Sequence, residues 1–324
     1  MERKASVPMS IEQAARQWQT EGWVLVPDLL PTGEIDEAVE ELWSLYPRPE
    51  EFHAEGNPRR EAFLAPRERK WAPPDVADDE PAFREVQLDG IKKFPYPTRG
   101  RLNRLLLHPR LIEFAETALA SSEIRLYGSS LWAKYKGAAN YAQPLHTDRN
   151  HSVVPPRMDP GWWHMEGFLY LCDVDEGNGA TQLLRLRDSP KPDPQRPLSP
   201  EEAPEPYSKL VSAPGRRGSF LAYRPDVWHR GVDLRDDDAS RFIMTLGFKL
   251  SGQEWIGFDG IADFVDNWHF LRLASSCTPK ELALFGVPEP GHPFWTEAGV
   301  EALAERYAGL DVEPWRTALR DSDD

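Results

Sequence analysis

Cysteine is almost missing from this 324-residue chain, which has only Cys172 and Cys277. Two thiols so far apart make neither a disulfide framework nor a thiol motif, so the expected setting is a reducing cytoplasm. Also lacking is any apolar run of the roughly 18 residues that a membrane-crossing helix requires. The opening Met1-Glu2-Arg3-Lys4 leads into a polar amphipathic stretch where a secretory leader has an apolar one, so no leader is expected. A formal net charge of −15 argues against nucleic acid or an anionic membrane as the main partner, since both reward clustered Lys and Arg. No internal repeat is visible. What these absences leave is a chain long enough for one large or two modest domains. Oligomeric state is not legible.

The stretch that does carry a signal is Gln143 to His151, and within it His146-Thr147-Asp148. Read as a strand, residues two apart share a face, so His146 and Asp148 present an imidazole and a carboxylate to one point. That is two thirds of a 2-His-1-carboxylate facial triad, the usual site of non-haem Fe(II) oxygenases. A second segment, Trp228-His229-Arg230-Gly231, offers the third ligand. After a polar turn, Arg241 adds a guanidinium, which suits a carboxylate better than an ammonium does.

Around these segments the pattern predicts helices early and strands late. Ser10 and Gln13 form a capping box for a helix to about Thr20, and Gly22 to Pro27 reads as a strand. Thr32 is the expected cap of a second helix, whose Ile35, Val39, Leu42, Trp43 and Tyr46 share one face. The charged stretch from Pro47 to Asp89 reads as loops. Helices are expected from Leu102 to Leu107 and from Pro109 to Ala120. Short strands follow at Ile124 to Tyr127, Leu131 to Lys136, Gly167 to Cys172, Ala180 to Leu186, Gly218 to Tyr223 and Val227 to His229, then a clean alternation from Arg241 to Leu250. Prolines at 190, 192, 194, 197, 200, 204 and 206 forbid a regular element over residues 188–206, which read as a long surface loop or lid. Twelve tryptophans is a high count, several of them near the candidate metal segments. The fold expected is mainly β with flanking helices (α+β), a double-stranded β-helix or cupin-like jelly roll. Residues 1–250 would hold that unit, helical over about 10–120 and β over about 121–250, and residues 251–324 an extension packed on it, with a helix from Glu297 to Tyr307.

These residues together resemble the phytanoyl-CoA dioxygenase family of Fe(II)/2-oxoglutarate oxygenases. The resemblance runs over about residues 10–250, through Glu21 to Leu30, His146-Thr147-Asp148, the turn Asn178-Gly179-Ala180-Thr181, Gly218 to Leu221, His229-Arg230-Gly231 and Ser240-Arg241. It implies His146, Asp148 and His229 as ligands to Fe(II), and Arg241 as the partner of the distal carboxylate of 2-oxoglutarate. It further implies Lys134, Thr181 and Phe168 as cosubstrate neighbours. The activity implied is use of O2 and 2-oxoglutarate to oxidise a small molecule, with release of succinate and CO2. A carboxylate at Asp148, where related halogenases have a small residue, points to a hydroxylase or a desaturating or cyclising relative. The sequence departs from the family after the turn: Leu184 to Ser189 stands where relatives have Pro-Gly-Ser-His.

Other readings remain open at this point. A zinc hydrolase could use the same His/Asp/His set with a bound water, and a jelly-roll binding module would need no triad. Arg241 could instead pair on the surface with Asp236 to Asp238, a run that lacks the ligand spacing of a calcium loop. Lys136 shares the expected face of Lys134. His151, Trp162, Trp163 and His164 either line a substrate cleft or pack a loop. His53, His108, His269 and His292 read as structural or solvated.

Overall fold

The computed structural model describes residues 9–65, 90–138, 142–148, 164–190, 196–253, 256–257 and 267–322. The first helix, Ile11–Glu21, begins with the expected reciprocal cap: Gln13 N–H donates to Ser10 Oγ (3.2 Å) and Ser10 N–H to Gln13 Oε1 (3.1 Å). It stops at Gly22, whose left-handed φ of 89° only glycine takes at little cost. The second helix, Thr32–Leu42, differs from expectation at its start. Pro31 is its N-cap, with no side-chain cap bond. The stretch after Pro47 is not only loop. Pro49–His53 and Pro58–Leu64 are short helices that each open on a proline, whose fixed φ suits the first helical position. Helices Arg101–Leu105 and Pro109–Leu119 stand where expected.

The strands, in chain order, are β1 (Trp23–Val26), β2 (Ile91–Lys93), β3 (Ile124–Tyr135), β4 (His164–Tyr170), β5 (Gln182–Leu183), β6 (Val211–Ser212), β7 (Phe220–Tyr223), β8 (His229–Arg230) and β9 (Ser240–Leu250). Among the described residues they form two antiparallel sheets, in the orders β1-β7-β4-β9-β3-β2 and β6-β5-β8. With the flanking helices this is the mainly β, double-stranded β-helix architecture. The two short strands expected between Ile124 and Lys136 are one strand of 12 residues, because Gly128, Ser129 and Ser130, which look like a break, pair with β9 in the sheet interior. Conversely, the predicted strand from Ala180 to Leu186 shortens to β5, and the His146 segment is not a strand but two isolated bridges, Leu145 to Leu198 and His146 to His229.

The alternation in β9 separates two environments. Phe242, Met244, Leu246 and Phe248 enter the main core with Trp18, Phe114 and Phe220, while Ile243 faces the other side with Tyr170 and Leu183. Chain after residue 251 shares the main core: Phe270 and Phe285 lie 6.1 and 6.0 Å from the Phe94 ring, and Leu126 N–H donates to Leu284 O (2.8 Å). Glu297–Arg306 is helical as expected, joined by Trp268–Ala274, Pro279–Ala283 and Glu313–Ser322.

The proline-rich segment is more ordered than its composition suggests. Pro204–Ser208 is a short helix with proline in its first turn, and Leu198 pairs with Leu145 in a bridge. Tyr207 Oη accepts from Leu145 N–H (3.0 Å) and donates to Leu198 O (2.9 Å), and Leu198 and Ala203 pack with Leu145 and Trp228. The described part of this segment therefore grips the neighbours of His146 and His229 from behind.

Gly218 gives a direct check on this frame. Its φ is +90°, its N–H and C=O bond to Tyr170 O and Leu30 N, and a Cβ there would meet Leu30 O at 2.5 Å. Gly218→Ala is expected to lower unfolding free energy by about 1–3 kcal/mol in a denaturant titration. Gly33→Ala, in a helix with open space around it, should leave stability unchanged or raise it by up to about 1 kcal/mol.

Candidate metal centre and its cavity

Two backbone hydrogen bonds bring the first two candidate ligands together. His146 N–H donates to His229 O (3.0 Å) and His229 N–H to His146 O (2.8 Å), the closed pair of an antiparallel bridge, which puts both side chains on one face. Each imidazole is then oriented by its own chain. His146 Nδ1 lies 2.8 Å from Pro144 O and His229 Nδ1 3.1 Å from Val227 O. A carbonyl only accepts, so both Nδ1 atoms carry a proton, and in the neutral ring Nε2 is then the atom with the lone pair. Asp148 Oδ2 lies 3.6 Å from His229 Nε2. The candidate ligand atoms of His146, Asp148 and His229 all fall within 4.8 Å of one another, and this donor set fits a divalent ion of the facial-triad kind.

Asp148 has a fixed neighbour. Tyr223 Oη donates to its Oδ2 at 2.7 Å, and the Tyr223 ring lies 4.6 Å from that of His229. Burial, then the Asp148 charge, holds the Tyr223 phenol well above its ordinary range, so the hydroxyl stays a donor. A hydrogen bond of this kind fixes the orientation of a ligating carboxylate.

The triad sits on one wall of a cavity of about 380 Å³ between the two sheets. Arg241 and Lys134, Cα partners across β9 and β3, line the wall with Trp132, Phe168 and Thr181. Arg241 is 4% exposed and its Nη1 donates to Gly179 O, whereas Asp236 to Asp238 are exposed, which overturns the surface-pair reading of Arg241. Lys134 also separates from Lys136. Its Nζ donates to Val232 O (3.0 Å) inside the cavity, while Lys136 bonds Leu234 O and Arg235 O at the rim. Burial, with Arg241 next in effect, outweighs the opposing pull of the Asp233 carboxylate and lowers the Lys134 pKa to about 6, so the amine is largely neutral at pH 7.

The Asn178-Gly179-Ala180-Thr181 turn is what delivers the Gly179 carbonyl. Asn178 Nδ2 donates to Asp173 O (2.7 Å), and its Oδ1 accepts from Asp175 N–H (2.8 Å). A Cβ on Gly179 would approach Val232 O to 2.8 Å, so only glycine lets the turn close on the β8–β9 connection that Lys134 bonds.

His164 is buried against the Tyr127 ring (5.9 Å) and is not among the residues lining the cavity, so loop or core packing describes it better than a cleft role. His151, Trp162 and Trp163 lie outside the described residues. Sequence reasoning passed over Tyr223, Gln143, Tyr127 and Glu166, all of which line the cavity. Glu166 alone left a signal: a carboxylate two residues before Phe168 in an otherwise apolar strand.

A double-stranded β-helix with a His/Asp/His cluster at its mouth defines the class. The phytanoyl-CoA dioxygenase (PhyH) family matches the chain over residues 18–241, and the chain belongs to that family. No curated relative matches by sequence. Among solved structures the fold is similar to the epimerase SnoN in complex with Fe3+, alpha ketoglutarate and nogalamycin RO, at 19% identity and a TM-score of 0.50 over 74% of this chain and 84% of that one. The carbocyclase SnoK from nogalamycin biosynthesis aligns at 16% identity and a TM-score of 0.51 over 76% of this chain and 88% of its own. AviO1 from Streptomyces viridochromogenes aligns at 14% identity and a TM-score of 0.50, over 78% of this chain and 100% of that one.

Tyr223→Phe should weaken divalent-metal binding about ten- to a hundred-fold, because it removes the hydrogen bond that orients Asp148. Titration of the metal-free protein with Co(II), followed by its visible absorption, reads this directly. An unchanged dissociation constant would show that Asp148 needs no such clamp.

Proposed function

We propose that this chain is an Fe(II)- and 2-oxoglutarate-dependent dioxygenase that oxidises a C–H bond of a small molecule, as hydroxylation, desaturation or cyclisation. The observation that carries the reading is the pairing, in one cavity, of a three-ligand cluster with a buried guanidinium opposite it. His146, Asp148 and His229 would hold the metal, and Arg241, with Lys134 beside it, the distal carboxylate of the cosubstrate. SnoN and SnoK, whose structures are described as alpha ketoglutarate dependent, support the choice of cosubstrate. When bound, iron with 2-oxoglutarate and O2 supplies oxidative decarboxylation to succinate and CO2 together with the oxidising power for the C–H bond. A zinc hydrolase would have no use for a guanidinium and an amine buried side by side at that depth.

The protein's own share is positional. The Nδ1 bonds fix both imidazoles in the tautomer that offers Nε2, and the Tyr223 bond fixes the carboxylate. Arg241 meets a carboxylate through two parallel N–H groups, which sets the cosubstrate's direction as well as its affinity. Thr181 and Phe168 flank it, and the walls from Trp132 and Ile243 keep water out. A carboxylate at position 148 supports C–H oxidation rather than halide transfer.

Anaerobic addition of Fe(II) and 2-oxoglutarate should give the weak visible band of a chelated 2-oxo acid. Its absence with iron fully loaded would sink the assignment. Arg241→Lys should raise the KM for 2-oxoglutarate about ten- to a hundred-fold with iron affinity unchanged, since a point charge cannot replace the two-pronged bond.

Lys134 adds a pH signature. An anion beside it favours the ammonium, which moves its pKa up from about 6 toward the ordinary Lys value of 10.5. Between those limits, 2-oxoglutarate binding takes up a proton, and affinity falls as pH rises. Calorimetry in two buffers of different ionisation enthalpy at pH 7.5 should therefore show proton uptake that Lys134→Met abolishes.

A further inference from the structure

Two of the three candidate ligands stand in the smaller of the two sheets, and that sheet has an outer edge of its own. The order β6-β5-β8 continues past β8 through two single antiparallel bridges, His146 to His229 and Leu145 to Leu198. His146 N–H donates to His229 O (3.0 Å) on one side, and Leu145 O accepts from Leu198 N–H (2.8 Å) on the other. That carbonyl and that N–H belong to one peptide unit, which is planar, so the two neighbours hold its opposite ends. The turn of this plane sets the direction in which the His146 side chain leaves the backbone. Leu198, inside the proline-rich segment, is thus the outer edge of the metal site.

An edge of one bridge is weak by itself, and two side chains brace it. Tyr207 Oη accepts from Leu145 N–H (3.0 Å) and donates to Leu198 O (2.9 Å), so one hydroxyl spans both residues of the outer bridge. Arg230 follows the ligand His229 in β8 and points to the opposite face. Its guanidinium carbon stands 5.4 Å from the centre of the Tyr207 ring. Its Nε donates to Gln143 O (2.9 Å) and its Nη1 to Gln182 Oε1 (3.2 Å). Leu145 and Trp228, the residues just before the two histidines, pack with Leu184, Leu198 and Ala203 in a cluster of their own, and Tyr207 lies against it. Each histidine is therefore held through its chain neighbours, and the paths from both converge on Tyr207. Neither Tyr207 nor Arg230 lines the cavity, so what they do is done through the backbone.

We propose that Tyr207, with Arg230 over its ring, is a positioning residue of the metal centre, which sets how tightly and for how long His146, Asp148 and His229 keep a divalent ion. An ion that ties the two histidines together also steadies the edge. By linkage, a loosened edge costs ion affinity by the same factor. The inference rests on the metal-binding part of the function proposed above, and is independent of which cosubstrate or substrate the cavity takes.

The test uses the metal-free full chain, titrated with Co(II) and followed by visible absorption, then chased with EDTA to time release of the ion. Tyr207→Phe keeps the ring under Arg230 and removes both hydroxyl bonds. It should raise the Co(II) dissociation constant about two- to tenfold, the net value of one hydrogen bond, and speed release. Arg230→Lys keeps a cation by the ring but cannot bond Gln143 and Gln182 at once. It should show a loss of the same order, which covers a Tyr207 variant that does not fold. Hydrogen exchange gives a readout apart from the band: Co(II) should slow exchange at Leu145 and Leu198 in the unmodified protein, and less so in Tyr207→Phe. Gly218→Ala, which weakens the frame away from this edge, should leave the Co(II) constant unchanged. A folded Tyr207→Phe with an unchanged constant, or an unchanged Arg230→Lys where the first does not fold, overturns the proposal alone. A Gly218→Ala effect as large as theirs does so too, since it would show a loss of general stability only. Absence of the Co(II) band in the unmodified protein overturns the metal centre and this inference with it.

Discussion

The single bridge between His146 and His229 is the constraint on which the site depends. Two hydrogen bonds, 2.8 and 3.0 Å, hold together segments 83 positions apart in the chain (229 − 146). Because the pair is closed and antiparallel, both imidazoles emerge on the same side, and Asp148 needs only to follow two residues later. Neither segment is a long strand, so the bridge cannot rely on a ladder for support. Support comes from outside: Gln143 N–H donates to Gly231 O and its Oε1 accepts from Gly231 N–H (both 2.9 Å), while Leu198 and Tyr207 hold Leu145. The proline-rich segment thus acts on the site through the backbone of the candidate ligands.

The cavity is divided by charge. The basic groups gather at one end, where Lys134 and Arg241 sit side by side with their donors placed on the carbonyls of Val232 and Gly179. Six residues further along β9, Glu166 and Tyr127 line the same cavity, with burial holding the Glu166 carboxyl well above the usual carboxylate range. Two like-charged groups as close as Lys134 and Arg241 repel one another, and burial makes this worse. The amine answers by giving up its proton. An anion of two carboxylates is the ligand that relieves this arrangement, which is why the depressed Lys134 and the facial cluster lead to the same cosubstrate.

Glycine does similar work at three points. Gly179 lets the turn approach Val232, Gly231 leaves room for the Gln143 amide, and Gly247 leaves room for the Tyr127 ring. In each case the missing Cβ leaves room for a polar group or a ring. The reading of the sequence found the first of these through the Asn178 to Thr181 turn. It had no means of finding the last, because the partner ring comes from a different strand and arrives only through a bulge.

Much of the architecture was legible from local chemistry. The Ser10 cap, the Gly22 stop, the alternation of β9 and the apolar face of Thr32–Leu42 are set by residues within a few positions of one another, and such rules act before any fold exists. His146, Asp148, His229 and Arg241 could be picked out as candidates in the same way, since metal and carboxylate chemistry call for those residue types. What only the tertiary structure decided depends on partners far along the chain. β3 runs unbroken through Gly128-Ser129-Ser130 because β9 pairs with it. Lys134 lies in the cavity and Lys136 at its rim because β3 ends against the β8–β9 connection. Tyr223 meets Asp148, and Tyr127 meets Glu166, because antiparallel pairing sets strands from distant parts of the chain side by side. A carboxyl in an apolar strand is visible in one dimension, but whether it is paired, ionised or neutral is set by what burial and the neighbouring strands bring to it.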